Sequence, residues 1–200
     1  MQGDDKGNFN PDAFMTRAEA AQLFYNLLKD KNVEITESFI DVPDGAWYAT
    51  AMRVLASLDI ITGYPDGTAR PDAQIIRAEF VTMVSRFEGL TTGGPNFPDV
   101  PSNYWAYKYI NSSAAKGWIT GYLDGTFRPA NNITRSEATK LVNALLGRKT
   151  DEDFINKNSE SLRNFPDLTK AHWAYYEIME ATNSHRHSIH NGKESWNSLG

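Results

Sequence analysis

The chain has 200 residues, 40 % of them apolar and 12 % aromatic, enough to build a core as one domain or two small ones. Its net charge of −5 and pI near 5.4 argue against an electrostatically driven nucleic-acid binder. The absence of cysteine excludes disulfides and thiolate metal sites.

No apolar run approaches the roughly 18 residues that a membrane span needs, so membrane insertion is not expected. The start, Met1-Gln2-Gly3-Asp4, has no signal-peptide character and falls inside a repeat, so the sequence reads as a piece of a longer chain.

In chain order, the first unit runs from Gly3 to Pro11 and leads into Thr16-Arg17-Ala18-Glu19. It recurs as Gly63-Tyr64-Pro65-Asp66-Gly67-Thr68-Ala69-Arg70-Pro71 before Ile76-Arg77-Ala78-Glu79, and as Gly121 to Pro129 before Thr134-Arg135-Ser136-Glu137. The first glycine stands 14 residues before the arginine in every copy, without a gap. Each copy is a glycine-hinged turn, a proline stop and a helix start. A second unit alternates with it: Phe39-Ile40-Asp41-Val42 with Trp47, Phe97-Pro98-Asp99-Val100 with Trp105, and Phe165-Pro166-Asp167-Leu168 with Trp173, the tryptophan always 8 residues after the phenylalanine. The chain therefore opens on one half of a repeat and closes on the other, so its two ends are expected to complete a third unit.

Residues 16–29 read as a helix with Ala20, Leu23, Phe24, Leu27 and Leu28 on one face. The matching stripes are Phe80, Met83, Val84 and Phe87, then Ala138, Leu141, Val142, Leu145 and Leu146. Thr16 with Glu19 and Thr134 with Glu137 form capping boxes; Ile76 replaces the threonine before Glu79, so that cap must be made differently. A second type of helix runs from Trp47 to about Leu58, with Trp47, Ala51, Val54, Leu55 and Leu58 on one side, and its counterparts begin near Trp105 and Trp173. Ser112 and Ser113 interrupt the stripe after Trp105. Residues 30–38 and 90–96 read as connectors and 149–164 as an exposed linker insertion. Residues 184–200 read as a polar tail, partly disordered.

The motif Phe-x-Asp-Val…Trp…Gly-Tyr-x-Asp-Gly-Thr-x-Arg-Pro…Arg-(Ala/Ser)-Glu resembles the surface-layer homology (SLH) module of bacterial cell-envelope proteins, over most of residues 3–182. The resemblance implies an all-α fold in which three modules of short helices and loops close in a pseudo-threefold arrangement around a central helical bundle. On that pattern residues 1–30 are the second half of a module completed by 165–183, and residues 39–90 and 97–148 are the two continuous modules. The implied role is non-catalytic: anchoring an extracellular surface-layer protein by binding anionic, pyruvylated secondary cell-wall polysaccharide, itself linked to peptidoglycan, in grooves between modules. The family's glycan-binding arginine falls on Arg17, Arg77 and Arg135. The first copy departs most, with Asp4, Lys6, Asn8 and Asn10 where the third has Tyr122, Asp124, Thr126 and Arg128; the second has Ala69 for Phe127.

These residue types suit an acidic glycan. A helix N-terminus exposes backbone N–H groups and favours anions, and an arginine fork holds a carboxylate with two bonds. Trp47, Trp105 and Trp173 offer faces for sugar rings, Gly63 and Gly121 allow close approach to the backbone, and Asp66 and Asp124 in the same turns are counted with them as candidate glycan contacts. Each feature also has a plainer reading. The arginines pair with nearby carboxylates; the tryptophans belong to the core; Glu19, Glu79 and Glu137 are caps; Asp66 and Asp124 stabilise Asp-Gly turns; Asp41, Asp99 and Asp167 cap the turns that follow them.

His185, His187 and His190 lie close together, but in a tail without scaffold or second shell, so neither a metal nor any other cofactor is expected. No nucleophile elbow, phosphate loop or HExxH motif is present. Two rival roles remain: a protein–protein assembly module of the envelope, with self-assembly through other regions of the protein, and the wall-targeting part of a larger glycan hydrolase.

Overall fold

The computed structural model describes residues 1–200. It is mostly helical, with seven α-helices, one 3₁₀ turn (Ser159–Ser161) and a single two-stranded sheet. The chain divides into two compact units, Phe14–Ile133 and Met1–Ala13 together with Thr134–Gly200.

The first unit holds α1 (Arg17–Leu27), α2 (Ala49–Ser57), α3 (Arg77–Glu88) and α4 (Tyr107–Ala115). Helix α1 packs on α2 and α3 on α4. Phe24 meets Phe80 at 5.4 Å and Phe87 at 5.7 Å between ring centres, and Met52, Leu55 and Val84 are fully enclosed beside them. The expected stripes hold for Ala20, Phe24, Phe80, Met83 and Val84. Trp47 and Leu58 depart from expectation: both lie outside α2 and are exposed, and the helix starts at Ala49 with Tyr48 in the N-cap position.

Ser112 and Ser113 do not weaken α4. Both are buried and bonded: Ser113 to Ser85 Oγ at 2.9 Å, and Ser112 Oγ as acceptor for the Thr91 amide at 2.9 Å. The stripe is broken in hydrophobicity but not in packing, because small hydroxyls that find partners can be buried at little cost. Ile76, which cannot cap, leaves α3 with half a box; the Glu79 carboxylate still accepts the Ile76 N–H at 3.1 Å.

The helix-entry loops are joined by backbone hydrogen bonds that run in a circle. Met15 N–H donates to Ile133 O, Ile133 N–H to Ile75 O, and Ile75 N–H to Met15 O, at 3.1, 3.0 and 2.9 Å.

The second unit holds α5 (Arg135–Leu145), α6 (Glu152–Lys157), α7 (Tyr175–Thr182) and the hairpin β1 (His185–His190) and β2 (Lys193–Leu199). Its core gathers Phe9, Ile155, Phe165, Leu168, Ile178, Met179 and Trp196. Residues 149–164 are therefore no exposed linker: Asp151 caps α6, and Ile155 is fully buried. The polar tail is also ordered. Strands β1 and β2 pair antiparallel around Asn191-Gly192, whose φ angles of 52° and 72° suit a tight hairpin turn.

One set of contacts recurs in both units. Asp41 accepts the N–H groups of Ala69 and Arg70, at 2.8 and 2.7 Å, and Asp99 those of Phe127 and Arg128, at 2.9 and 2.6 Å. Asp167 accepts those of Phe9 and Asn10, at 2.8 and 2.6 Å, from the opposite end of the chain. These aspartates do not cap the turns that follow them; they reach 28 residues or more to fix the other half of the motif. The residue they hold has positive φ each time (Asn10 55°, Arg70 50°, Arg128 57°), a conformation that costs about 1–2 kcal/mol without such support.

Candidate functional site

The three motif arginines have a common geometry set by the repeat. Each Nε donates to the carbonyl two residues before the motif proline: Arg17 to Ala69 O at 2.8 Å, Arg77 to Phe127 O at 2.9 Å, Arg135 to Phe9 O at 2.9 Å. Arg17 Nη2 donates further to Thr62 O and Arg135 Nη2 to Gln2 O, both at 2.8 Å and both just ahead of the motif glycine. An arginine in the first turn of one helix thus clamps the glycine turn of another repeat.

Arg17 is the most enclosed, 3 % exposed. Its Nη1 pairs with Glu79 Oε1 at 2.9 Å, and its guanidinium lies 5.1 Å from the Tyr64 ring centre. Tyr64 completes the group by donating to Glu79 Oε1 at 3.2 Å; burial first, with the Glu79 charge adding, pushes its hydroxyl pKa up. Arg70 lies 3.9 Å from the same ring while holding Asp66 at 3.0 Å. Arg77 stands 4.6 Å from the Tyr122 ring centre and Arg128 4.1 Å from it. At Arg135 the neighbouring ring is Phe9, at 4.8 Å, and Asp4 occupies the tyrosine position.

Beside Arg17 opens a cleft of about 210 Å³, lined by Thr62, Tyr64, Glu79, Thr82, Met83, Arg86 and Trp105. Three stretches of sequence meet there: Arg17 from the first arginine motif, Tyr64 and Glu79 from the second, and Trp105 from the following tryptophan unit. Arg86, unforeseen from the sequence, is placed by bonds to Asp59 O at 3.0 Å and to the Tyr109 hydroxyl. Its only signal was a basic residue in the last turn of α3, which ordinarily reads as a favourable helix end.

Trp47, Trp105 and Trp173 are 63, 52 and 57 % exposed, so they do not form the core. Each packs edge or face against the residue before or after it, Tyr48, Tyr104 or His172, and leaves a broad aromatic surface to solvent.

Two expectations about the backbone are corrected. The leading N–H groups of the helices are not offered to a ligand. Arg17 and Ala18 donate to Ala73 O and Pro71 O, Arg77 and Ala78 to Asn131 O and Pro129 O, and Arg135 and Ser136 to Ala13 O and Pro11 O, while Thr16 and Thr134 cap the next amide. Any anion there must be held by side chains. Nor does the bare Cα of Gly63 or Gly121 serve ligand access. A Cβ on Gly63 would stand 2.5 Å from the Phe39 ring and 2.8 Å from Thr68 O; on Gly121, 2.7 Å from Phe97 and 2.8 Å from Thr126 O. The space is taken by the phenylalanine of the adjoining motif.

The remaining polar residues are turn and cap groups. Asp66 and Asp124 each accept from the hydroxyl and amide of the threonine two residues on and from an arginine. Those bonds, the threonine hydroxyl foremost, lower the Asp66 pKa to about 2 and hold Asp124 below the usual carboxylate range. Glu19 and Glu137 cap α1 and α5 through both halves of the box; Glu79 combines half a cap with the Arg17 pair.

The sequence model of the S-layer homology domain matches residues 1–21, 38–81 and 96–139. The chain belongs to the S-layer homology family. It is 33 % identical over 98 % of its length to cell surface glycoprotein 1 of Acetivibrio thermocellus, and 36 % identical over 97 % to the cellulosome-anchoring protein of the same organism. An amylopullulanase of Thermoanaerobacterium thermosulfurigenes is 32 % identical over 73 % of the chain. The chain spans only 9, 44 and 8 % of these three relatives. Family and relatives together associate this SLH chain with the bacterial cell surface, outside the cell at the wall. No helix is long and apolar enough to cross a membrane.

Proposed function

We propose that the chain anchors a surface protein non-covalently to the cell wall, without catalysis, by holding an anionic secondary cell-wall polysaccharide in clefts between its repeats. The observation that carries this reading is the cleft in which Arg17, Arg86, Tyr64 and half-exposed Trp105 converge. Arg86 and Trp105 are the side chains on its wall suited to a sugar carboxylate and to the C–H face of the ring. Arg17 acts mainly as the clamp that shapes the wall. Its charge is shared with Glu79, so the cleft suits a ligand with a single acidic group, such as a pyruvate ketal, better than a polyanion. Arg77 with Tyr122, and Arg135 with Phe9, frame the corresponding positions of the other repeats, while Trp47 and Trp173 repeat the exposed platform. The first copy, with Asp4 for tyrosine, is the poorest candidate for binding.

The circular hydrogen bonds of Met15, Ile75 and Ile133 support a pseudo-threefold closure of the repeats. The bonds from Phe9 and Asn10 to Asp167 support a third module assembled from residues 1–30 and 165–183. The small share of each relative that the chain spans, the amylopullulanase among them, favours a targeting element attached to other domains.

Binding to purified wall sacculi, before and after acid removal of the secondary polymers, tests the proposal. Stripped sacculi are expected to retain little protein. Undiminished binding would point to peptidoglycan or protein as the partner.

A further inference from the structure

The hairpin carries a group of side chains that wall anchoring does not use. His185 and His187 lie two residues apart on β1, and Glu194 and Trp196 two apart on β2. The cross-strand pairs His187–Trp196 and Ile189–Glu194 put all four on one face, which packs against α7 and brings in Glu180. The His185 Nε2 atom is 3.2 Å from Glu194 Oε1 and 3.4 Å from Glu180 Oε1, and His187 Nδ1 is 3.7 Å from Glu194 Oε1. In a tetrahedral site with metal–ligand bonds of about 2.0–2.1 Å, neighbouring ligand atoms stand about 3.3–3.4 Å apart. The three observed separations lie close to that edge length.

Each ligand atom is also oriented from behind. His185 Nδ1 faces the Asn183 carbonyl at 2.7 Å, an acceptor only, so the proton sits on Nδ1 and Nε2 presents its lone pair. Its ring is stacked on Trp196 with centres 3.5 Å apart. Glu194 Oε2 accepts the Lys149 amide at 3.0 Å, and Glu180 Oε2 accepts the Trp196 indole N–H at 2.9 Å. In both carboxylates the other oxygen points into the group. Glu180 is 96 % buried, and its Oε1 has no hydrogen-bond donor in correct geometry. Arg148 Nη2 approaches that oxygen to 2.6 Å and Glu194 Oε1 to 2.9 Å, so it supplies charge to Glu180 Oε1 without a directed bond. One guanidinium thus faces two buried carboxylates, and burial pushes the Glu180 carboxyl up to about 7.

We propose that this face of the hairpin binds a divalent transition-metal ion of the zinc or nickel type, ligated by His185 Nε2, His187 Nδ1 and Glu194 Oε1, with the Glu180 carboxylate beside them and Arg148 as the cation it displaces. Two imidazoles and one carboxylate select borderline metals over calcium or magnesium, which prefer oxygen shells. Arg148 is 27 % exposed and can swing outward, and a divalent ion in its place neutralises both carboxylates. The scaffold and second shell that the tail lacked in sequence are here provided by the hairpin and by Asn183, Lys149 and Trp196.

The competition with Arg148 gives the test its sign. The protein, stripped with chelator and dialysed, is titrated calorimetrically with zinc chloride, nickel chloride and calcium chloride. One saturable site for zinc or nickel is expected, with calcium at least tenfold weaker. Half-exposed His187 can be changed without disturbing the core, and His187→Ala is expected to weaken zinc at least tenfold, whereas His190→Ala leaves it unchanged. Arg148→Ala is expected to bind zinc more tightly than the parent protein and to regain with zinc the thermal stability that it loses without it. Three outcomes overturn the assignment: no saturable binding to parent or Arg148→Ala protein, parental affinity in His187→Ala, or equal loss in His190→Ala, which marks chelation by surface histidines only.

Discussion

Replacing Arg17 by methionine keeps most of the apolar stem and removes only the polar fork. Three donors go at once: Nε to Ala69 O, Nη1 to Glu79 Oε1 and Nη2 to Thr62 O, at 2.8, 2.9 and 2.8 Å. The side chain is 4 % exposed and that of Glu79 21 %, so water reaches the orphaned acceptors poorly. Removing one partner of a buried pair costs about 3–5 kcal/mol, because the other charge stays behind. At about 2–4 °C per kcal/mol for a protein of this size, the melting temperature should fall by about 6–20 °C. Urea unfolding followed by circular dichroism measures the loss directly. Arg70→Met, which breaks a half-exposed pair with Asp66, should cost less than about 1 kcal/mol. Glu79→Gln combined with Arg17→Met should cost less than the sum of the two, with a coupling of about 0.5–3 kcal/mol. If Arg17→Met unfolds within about 1 kcal/mol of the parent, the arginine is no clamp and the geometry of the cleft needs another cause.

Gly63→Ala forces a Cβ to within 2.5 Å of the Phe39 ring, and overpacking of this kind costs about 1–3 kcal/mol; a thermal melt reads it. Asp167→Ala orphans the amides of Phe9 and Asn10, at about 1–3 kcal/mol for the more buried one, and hydrogen exchange at Phe9 should quicken while that at Ala69 does not. The Asp66 carboxyl, lowered to about 2, stabilises its turn fully above its ordinary value of 3.8 and loses that contribution as the pH falls through about 2. Its carboxyl carbon should therefore titrate near 2 by NMR and move up toward the ordinary range in Thr68→Val, while the bonds from Arg70 and the residue-68 amide still hold it below 3.8.

The repeat was legible because it is a set of fixed spacings, and fixed spacings are what backbone-directed contacts require. The 14-residue interval from glycine to arginine keeps Arg17, Arg77 and Arg135 at the same reach, each with its Nε on an equivalent carbonyl. What the arginine reaches is not local, so the sequence could not say whether it clamps a turn or faces a ligand. Trp47 was misplaced for a related reason: an aromatic residue one turn before an apolar stripe fits the helical period whether or not the helix has begun. The hairpin escaped because His185 and Glu194 are polar yet face inward, so period-2 alternation of hydrophobicity is absent, although Asn191-Gly192 marked the turn. Tyr64 stood in plain view in the motif, but its role needs Glu79 and Arg17 brought together by the fold.

The most direct test is titration of a pyruvylated wall-polysaccharide fragment into the protein and its Trp105→Ala variant, read by calorimetry, with circular dichroism confirming the fold. Saturable binding to the parent protein and at least a tenfold loss in Trp105→Ala are expected. Equal affinity in both, or no binding to either, would contradict the assignment of the Arg17–Tyr64–Trp105 cleft to an acidic glycan.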